Sequence, residues 1–91
     1  MIYTLDFIDS AKREIALLRK SDSNSYKKLE KLLEELVEHP TTGTGKPEPL
    51  KGDRSGQWSR RISKKHRLIY EIREEIVTVL ILSSYGHYDD K

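Results

Sequence analysis

Cysteine is absent from this chain of 91 residues. Its absence excludes disulfide bonds, a thiolate zinc site and a cysteine nucleophile together. Long apolar runs are also missing, since the longest, residues 76–82, has seven residues and includes a threonine. A membrane-spanning helix needs roughly 20. The first residues, MIYTLDF, have neither the basic start nor the cleavage site of a signal peptide. We therefore expect a cytoplasmic protein without a membrane segment.

Apolar residues are scarce: they make up 35% of the chain, the same share as the charged residues. This composition and length predict a single domain over residues 1–91 with one modest core. A partner or self-association would add stability to so small a domain.

The periodicity of the chain predicts an α+β fold. Apolar and polar residues alternate at 2–7, which indicates a strand with one buried face. Two helices follow: one capped near Asp9 or Ser10, and one that begins in the polar stretch 21–25 and ends before Pro40. Strand-like runs at 57–63, 66–72 and 76–83 are joined by short turns, which predicts antiparallel hairpins. The last run is apolar on both faces and is expected to be the central strand.

The predicted order is therefore β-α-α-β-β-β, with a mainly antiparallel twisted sheet and both helices packed on one face. Between the second helix and the next strand, residues 40–56 show no periodicity and contain four glycines and three prolines. We expect a loop without secondary structure here, and its prolines favour an ordered path. Loops of this length in a small domain are usually functional or disordered.

Charge is concentrated in residues 43–70, called the basic segment below. It holds eight basic and two acidic residues, a net charge of +6, whereas the other 63 residues hold nine basic and thirteen acidic residues, a net charge of −4. Such asymmetry predicts an anion-binding surface. Glu48 stands within the segment between two prolines. A carboxylate in that position is unexpected in a surface that only grips nucleic acid, and it suggests chemistry on a phosphate.

Strand alternation predicts where the arginines point. Arg61 and Arg67 fall opposite the apolar positions of their strands, so both are expected on the open face of the sheet. Arg60 falls on the apolar side, where it needs a strand end or an acidic partner. The preceding loop is expected to lie across the open face with Lys46, Glu48 and Lys51, and the tail with Tyr85 and His87 to approach it from the other end.

These residues form a set that is sufficient for RNA cleavage by internal attack. That reaction needs a general base for the 2′-hydroxyl, a general acid for the departing 5′-oxygen, and cations for the phosphorane, but no metal. Glu48 and His87 are the candidate base and acid, and Lys51, Arg61 and Arg67 the candidate cations. Tyrosines near His87 offer stacking surfaces for bases or a bond to the phosphate; they are Tyr85 and Tyr88.

Four motifs in the C-terminal half occur in a specific order and spacing. They are GKPEPLK at 45–51, SGxWSRRI at 55–62, HRLxY at 66–70 and a late HY at 87–88. This series closely resembles the corresponding segment of the YoeB (Txe/YoeB) toxins within the RelE superfamily. The first forty residues agree with that family in element order and type.

The resemblance implies a RelE-like microbial RNase fold and a ribosome-dependent endoribonuclease, or mRNA interferase, of a type II toxin–antitoxin pair. Such an enzyme cuts mRNA in the ribosomal A site without a cofactor, leaving a 2′,3′-cyclic phosphate or 3′-phosphate and a 5′-hydroxyl. It inhibits translation until a YefM-type (Phd/YefM) antitoxin binds it, and it is commonly a homodimer.

Residue by residue, the resemblance implies that Glu48 is the general base, His87 the general acid and Arg67 the stabiliser of the transition state. It implies supporting basic roles for Lys51 and Arg61, and a place beside the acid for Tyr88. Family chains often stop at the His-Tyr pair, whereas three further residues follow here: Asp89, Asp90 and Lys91.

Two alternatives from other classes remain open: a nucleic-acid-binding module without catalysis, and a subunit whose role is repressor assembly with its antitoxin. Both need the basic strands, but neither needs Glu48 and His87. His66 is an alternative acid, although alternation places it on the apolar side and favours a structural role. His39 is expected at a helix end, and Trp58 in the core.

Overall fold

The structure of the protein is a computed structural model that describes residues 2–84, with side chains through residue 80. The predictions for Tyr85, His87 and Tyr88 lie outside the described residues. The helices and strands in chain order are β1 (Thr4–Phe7), α1 (Asp9–Ser21), α2 (Ser23–Glu38), β2 (Glu48–Pro49), β3 (Gln57–Arg61), β4 (His66–Arg73) and β5 (Ile76–Ser84).

The strands form one mixed sheet of order β1-β5-β4-β3-β2. β1 runs parallel to β5, and every other neighbouring pair is antiparallel. The predicted α+β class, the element order of the helices and the two hairpins are confirmed. The number of strands was wrong, because the segment expected to be a loop supplies the fifth strand.

The fifth strand, β2, also corrects the predicted path of residues 40–56. Its two residues pair with β3, and the Leu50 amide donates to the Gln57 carbonyl at 2.8 Å. A 3₁₀ turn follows at Gly52–Arg54. The segment therefore extends the edge of the sheet and does not lie across its open face, because its backbone finds hydrogen-bond partners on the unpaired edge of β3.

β5 is an internal strand between β1 and β4, but β4 takes the middle position of the five. The prediction of a central last strand was therefore wrong in detail, since β2 extends the far edge. A register shift in β5 leaves Leu80 without a Cα partner, between the pairs Tyr70–Val79 and Ile69–Ile81. Such a bulge changes the parity of the strand, which is consistent with apolar residues at both odd and even positions.

The start of α1 differs from the predicted cap. Ile8 is the N-cap, with extended dihedral angles and no side-chain cap bond. Its amide donates to the Val79 carbonyl at 3.2 Å, so the chain still pairs with β5 at the position where the helix begins. For α2 the N-cap is Asp22, whose carboxylate accepts from the Ser25 hydroxyl at 2.8 Å and the Ser25 amide at 3.1 Å. These bonds lower the pKa of Asp22.

The core lies between the two helices and one face of the sheet. Leucines of α2 are fully buried there and meet side chains of β4 and β5; the buried apolar residues are Ala11, Leu18, Leu29, Leu32, Leu36, Ile62, Leu68, Tyr70, Val77 and Val79. Burying one leucine contributes about 1.5–3 kcal/mol before entropy is counted. On β1 the odd positions pack against this core as predicted, and Trp58 does too. Neither helix among the described residues is long and apolar enough to cross a membrane.

Candidate phosphate-binding face

Arg61 and Arg67 face each other directly across β3 and β4, because their Cα atoms are register partners. Arg61 is exposed and Arg67 is partly exposed, and both lie on the face away from the core, as alternation predicted. Among the described residues neither forms an ion pair. Like charges directly opposite each other destabilise a sheet. This arginine pair is therefore a place where an anion would relieve repulsion.

Glu48 lies on the same face, one strand further toward the edge. Its register partner on β3 is Ser59, two residues before Arg61, which makes Glu48 and Arg61 diagonal neighbours with Cα atoms roughly 7–8 Å apart. Arg67 is one strand further, so its Cα is roughly 12 Å from that of Glu48 by strand spacing. The Glu48 carboxylate is exposed. A phosphate placed over the arginine pair would lie within reach of all three side chains.

Ser59 was not among the candidate residues predicted from the sequence. It is 1% exposed, and its Oγ is the buried side-chain polar atom without a hydrogen-bond partner in the part of the chain that the structure describes. Ser59 lies in one row of the sheet between Glu48 and Ile69, which is also fully buried. An unpaired buried hydroxyl costs stability, and only long-range burial reveals it.

Arg60 lies on the core side, and its side chain is fully buried. Its Nη1 donates to Glu35 Oε1 at 2.9 Å and to the Thr44 carbonyl at 3.3 Å. Nη2 donates to the carbonyls of His39 and Thr42, and Nε donates to Tyr70 Oη at 3.1 Å. A guanidinium has five N–H donors, and all of them are used. Of the two alternatives predicted for Arg60, a strand end or an acidic partner, the structure shows an acidic partner, Glu35.

The acidic and phenolic partners of Arg60 are themselves bonded to the loop after α2. Glu35 accepts the Thr44 hydroxyl at 2.7 Å and the Thr44 amide at 2.9 Å, and Tyr70 Oη donates to the Pro40 carbonyl at 2.6 Å. The bonds from Thr44, with Arg60 adding to them, lower the pKa of Glu35, whereas burial raises the pKa of Tyr70. We call Arg60, Glu35 and Tyr70 the clamp.

Two glycines allow the loop to fit against the clamp. Gly43 has φ +117°, and a Cβ there would lie 2.5 Å from Glu35 Oε1. Gly45 has φ +86°, and a Cβ would lie 2.8 Å from the Arg61 carbonyl oxygen. The Gly45 carbonyl accepts the Arg61 amide at 2.7 Å. Close approach and positive φ together require glycine at both positions.

Four other residues considered in the sequence analysis lie at different positions in the fold. Lys46 and Lys51 are exposed on either side of Glu48, and Lys46 has φ +52°. His66 shares strand parity with the buried residues Leu68 and Tyr70 of β4, which places it on the core face, away from the arginine pair. His39 is the C-cap of α2, as expected for a residue at a helix end.

No group of three or more metal-ligating side chains lies together among the described residues. A pocket of about 470 Å³ lies beside α1, on the helix layer, and is separate from the arginine pair; it is lined by Lys12, Ile15, Ala16, Arg19, Lys20 and Tyr26.

The fold and this face define a class: a small α+β protein whose sheet face away from the helices combines paired arginines with a carboxylate and is suited to an anionic ligand. The sequence matches the family model for the YoeB-like toxin of bacterial type II toxin–antitoxin systems over residues 7–88. It is also 42% identical over 69 residues to toxin YoeB of Streptomyces coelicolor, which covers 76% of this chain and 80% of that protein. The chain belongs to the YoeB-like toxin family of bacterial type II toxin–antitoxin systems.

Solved structures show the same fold. A YoeB/ParE toxin from Agrobacterium tumefaciens is 31% identical, with a TM-score of 0.82 over 90% of this chain and 98% of that chain. The YoeB dimer from Staphylococcus aureus is 29% identical, with a TM-score of 0.80 over 97% of this chain and 100% of that chain. A YoeB–YefM complex from Staphylococcus aureus contains a chain that is 28% identical, with a TM-score of 0.78 over 97% of this chain and 100% of that chain. These likenesses confirm the expected fold.

Proposed function

We propose that this protein is an mRNA endoribonuclease that cleaves mRNA in the ribosomal A site and so inhibits translation. One observation carries the proposal: the arginine pair has no ion-pair partner among the described residues and shares the sheet face away from the helices with Glu48. A phosphodiester bound to the arginines would have a carboxylate beside it, which simple nucleic-acid binding does not require.

Glu48 acts as the general base in this proposal. Its carboxylate takes the proton of the 2′-hydroxyl, and the 2′-oxygen then attacks the adjacent phosphorus. Prolines 47 and 49 restrict the backbone on both sides of Glu48. A fixed base removes the entropic cost of bringing the carboxylate to the substrate.

Arg61 and Arg67 hold the phosphate and stabilise the additional negative charge of the phosphorane. An arginine donates two parallel hydrogen bonds to two oxygens, which suits a phosphate better than the single ammonium of lysine. The phosphorane carries one more negative charge than the bound phosphodiester, so its attraction to the two guanidinium groups is stronger.

His87 protonates the departing 5′-oxygen, so the bond from phosphorus to that oxygen breaks and a 2′,3′-cyclic phosphate and a 5′-hydroxyl remain. Water can open the cyclic product to a 3′-phosphate. The family resemblance supports this role. The chain runs along β5 beside the arginine pair, because Ser83 is the register partner of Arg67, and His87 follows four residues later in the sequence. Tyr88 stands next to this acid in the sequence.

The ribosome presents the mRNA, and exposed basic residues of the loop contact its backbone. Lys46 and Lys51 have this role in the proposal, and Tyr85 stacks on a base. The partner that inhibits the enzyme is a YefM-type antitoxin, and the enzyme forms a homodimer; the YoeB–YefM complex and the YoeB dimer from Staphylococcus aureus support both proposals.

The proposal is tested by expressing wild-type protein and Glu48→Gln without antitoxin and mapping the new 5′-ends of cellular mRNA. Wild type is expected to arrest growth and produce cuts within translated codons. Glu48→Gln is expected to reduce cleavage about 10²–10⁴-fold, which is the usual contribution of a general base.

Asp53→Asn is the matched control, because Asp53 is the other acid of the basic segment and is also exposed. Both substitutions remove one negative charge and strengthen nonspecific RNA binding alike, but Asp53→Asn is expected to cleave like wild type. If wild type leaves mRNA uncut, the chain is a binding module or a repressor subunit instead. If Glu48→Gln cuts mRNA normally, Glu48 is not the general base.

A further inference from the structure

We infer that the clamp is a positioning device for Glu48, and that buried Arg60 acts on cleavage through the loop that carries this carboxylate. The catalytic part of this inference rests on the proposed function. Arg60 and Arg61 are adjacent in β3 and therefore point to opposite faces of the sheet. Arg61 faces the site, whereas Arg60 holds the backbone that leads to Glu48.

The number and kind of bonds support this role. Arg60 and Tyr70 together bind four backbone carbonyl groups within residues 39–44: those of His39, Pro40, Thr42 and Thr44. Glu35 binds both the amide and the hydroxyl of Thr44. Because the groups are on α2, β3 and β4, the clamp joins the loop to three elements of the core.

The bonded segment continues directly to the proposed base. The Gly45 carbonyl accepts the Arg61 amide at 2.7 Å, and the Leu50 amide donates to the Gln57 carbonyl at 2.8 Å. Glu48 lies between these two attachments, in register with Ser59. The two-residue strand β2 is too short to hold this register alone, since short edge strands are marginally stable. The clamp supplies the missing constraint from inside the protein.

The bonding capacity of arginine makes the arrangement specific. Lysine has three donors on one nitrogen and does not reach five acceptors arranged around a plane. Burying a guanidinium is costly unless all of its donors are satisfied. A loop that was held only loosely at the surface would not require such a buried charge. The buried arginine therefore indicates that the path of this loop is held closely.

The test uses Tyr70→Phe and Thr44→Val in the full chain. Tyr70→Phe removes the bonds to Pro40 and to Arg60 Nε, and Thr44→Val removes one bond to Glu35. Tyr26→Phe is the matched control, since Tyr26 also packs against the core and lies on α2. Each substitution is made in the wild type and in Glu48→Gln, and kcat and KM are measured on ribosomes carrying mRNA.

We expect Tyr70→Phe to lower kcat about 10-fold to 10²-fold, the range associated with an ångström of misplacement, and Thr44→Val to lower it less. KM should change less than about twofold, because the arginine pair is retained. In the Glu48→Gln background the same substitutions should lower kcat less than about twofold, because a residue acting through Glu48 has nothing further to lose. Tyr26→Phe should have no effect in either background.

Amide hydrogen exchange supplies a readout that does not depend on catalysis. The amides of Thr44, Arg61 and Leu50 should exchange about tenfold faster in Tyr70→Phe than in wild type, while amides between β4 and β5 change less than about twofold. Unchanged exchange at these amides overturns the proposal that the clamp holds the loop. Equal kcat losses in both backgrounds, or a rise in KM alone, overturn the proposal that the clamp positions Glu48.

If the wild type does not cleave mRNA, the proposed function fails, and with it the catalytic role of the clamp. The exchange measurements then decide separately whether the clamp holds the loop. The two failures are therefore distinguishable.

Discussion

Replacing Arg67 by glutamine removes one of two like charges that face each other across β3 and β4. At the cross-strand separation of roughly 5 Å, two unit charges in water repel by about 0.8 kcal/mol. We therefore expect Arg67→Gln to raise the free energy of unfolding by up to about 0.8 kcal/mol at low salt. The gain should disappear near 1 M salt, where the screening length is about 3 Å.

The same substitution should weaken function while it stabilises the fold. With one fewer phosphate contact, the logarithmic slope of RNA binding against salt should fall by about 1. Cleavage should fall about 10²–10³-fold, as when one donor to a transition-state anion is lost. Urea denaturation is the suitable stability assay because urea leaves the ionic strength unchanged.

Arg73→Gln is the matched control on the same strand. Arg73 donates to Glu71 Oε2 at 3.0 Å in an exposed ion pair, which contributes about 0–1 kcal/mol. This control should leave stability unchanged or slightly lower and cleavage unaffected. A loss of more than about 1 kcal/mol in Arg67→Gln at low salt would refute the reasoning, since it would show that Arg67 is stabilised by a partner instead of repelled by Arg61.

The buried hydroxyl and the acidic member of the clamp lead to two further predictions. Ser59→Ala removes a buried hydroxyl without a partner among the described residues, so it should raise the free energy of unfolding by about 1 kcal/mol in urea titrations; a loss of similar size would reveal a bond to Oγ. The pKa of Glu35 lies below its ordinary value of 4.5, chiefly because Thr44 and then Arg60 donate to it. Its contribution to stability is therefore present above pH 4.5 and lost as the pH falls through the folded-state pKa, and Glu35→Gln should flatten this part of the curve of unfolding free energy against pH.

Local pattern was sufficient to predict much of the fold. Alternation with a period of two assigned Arg61 and Arg67 to the open face and Arg60 to the core face, because neighbouring side chains of a strand point in opposite directions. The apolar stripe of α2 and the stop before Pro40 were equally local. The need of Arg60 for an acidic partner followed from the cost of an unpaired buried charge.

Other features depended on residues far apart in the chain. The cap predicted near Asp9 or Ser10 lies just before them, at Ile8, because the Ile8 amide pairs with Val79, a contact that no short window contains. The strand at Glu48–Pro49 was missed because two residues have no periodicity. Its pairing depends on the edge of β3 and on the buried clamp.

The sequence by itself determined the composition of the face: which arginines share it, that a carboxylate held between prolines accompanies them, and which family motifs contain them. Only the tertiary structure decided their arrangement. Direct opposition of Arg61 and Arg67, and of Glu48 and Ser59, is a matter of strand register. Register is set by hydrogen bonds and burial between distant segments, whereas the direction of a side chain on its strand is set by the backbone of its own neighbours.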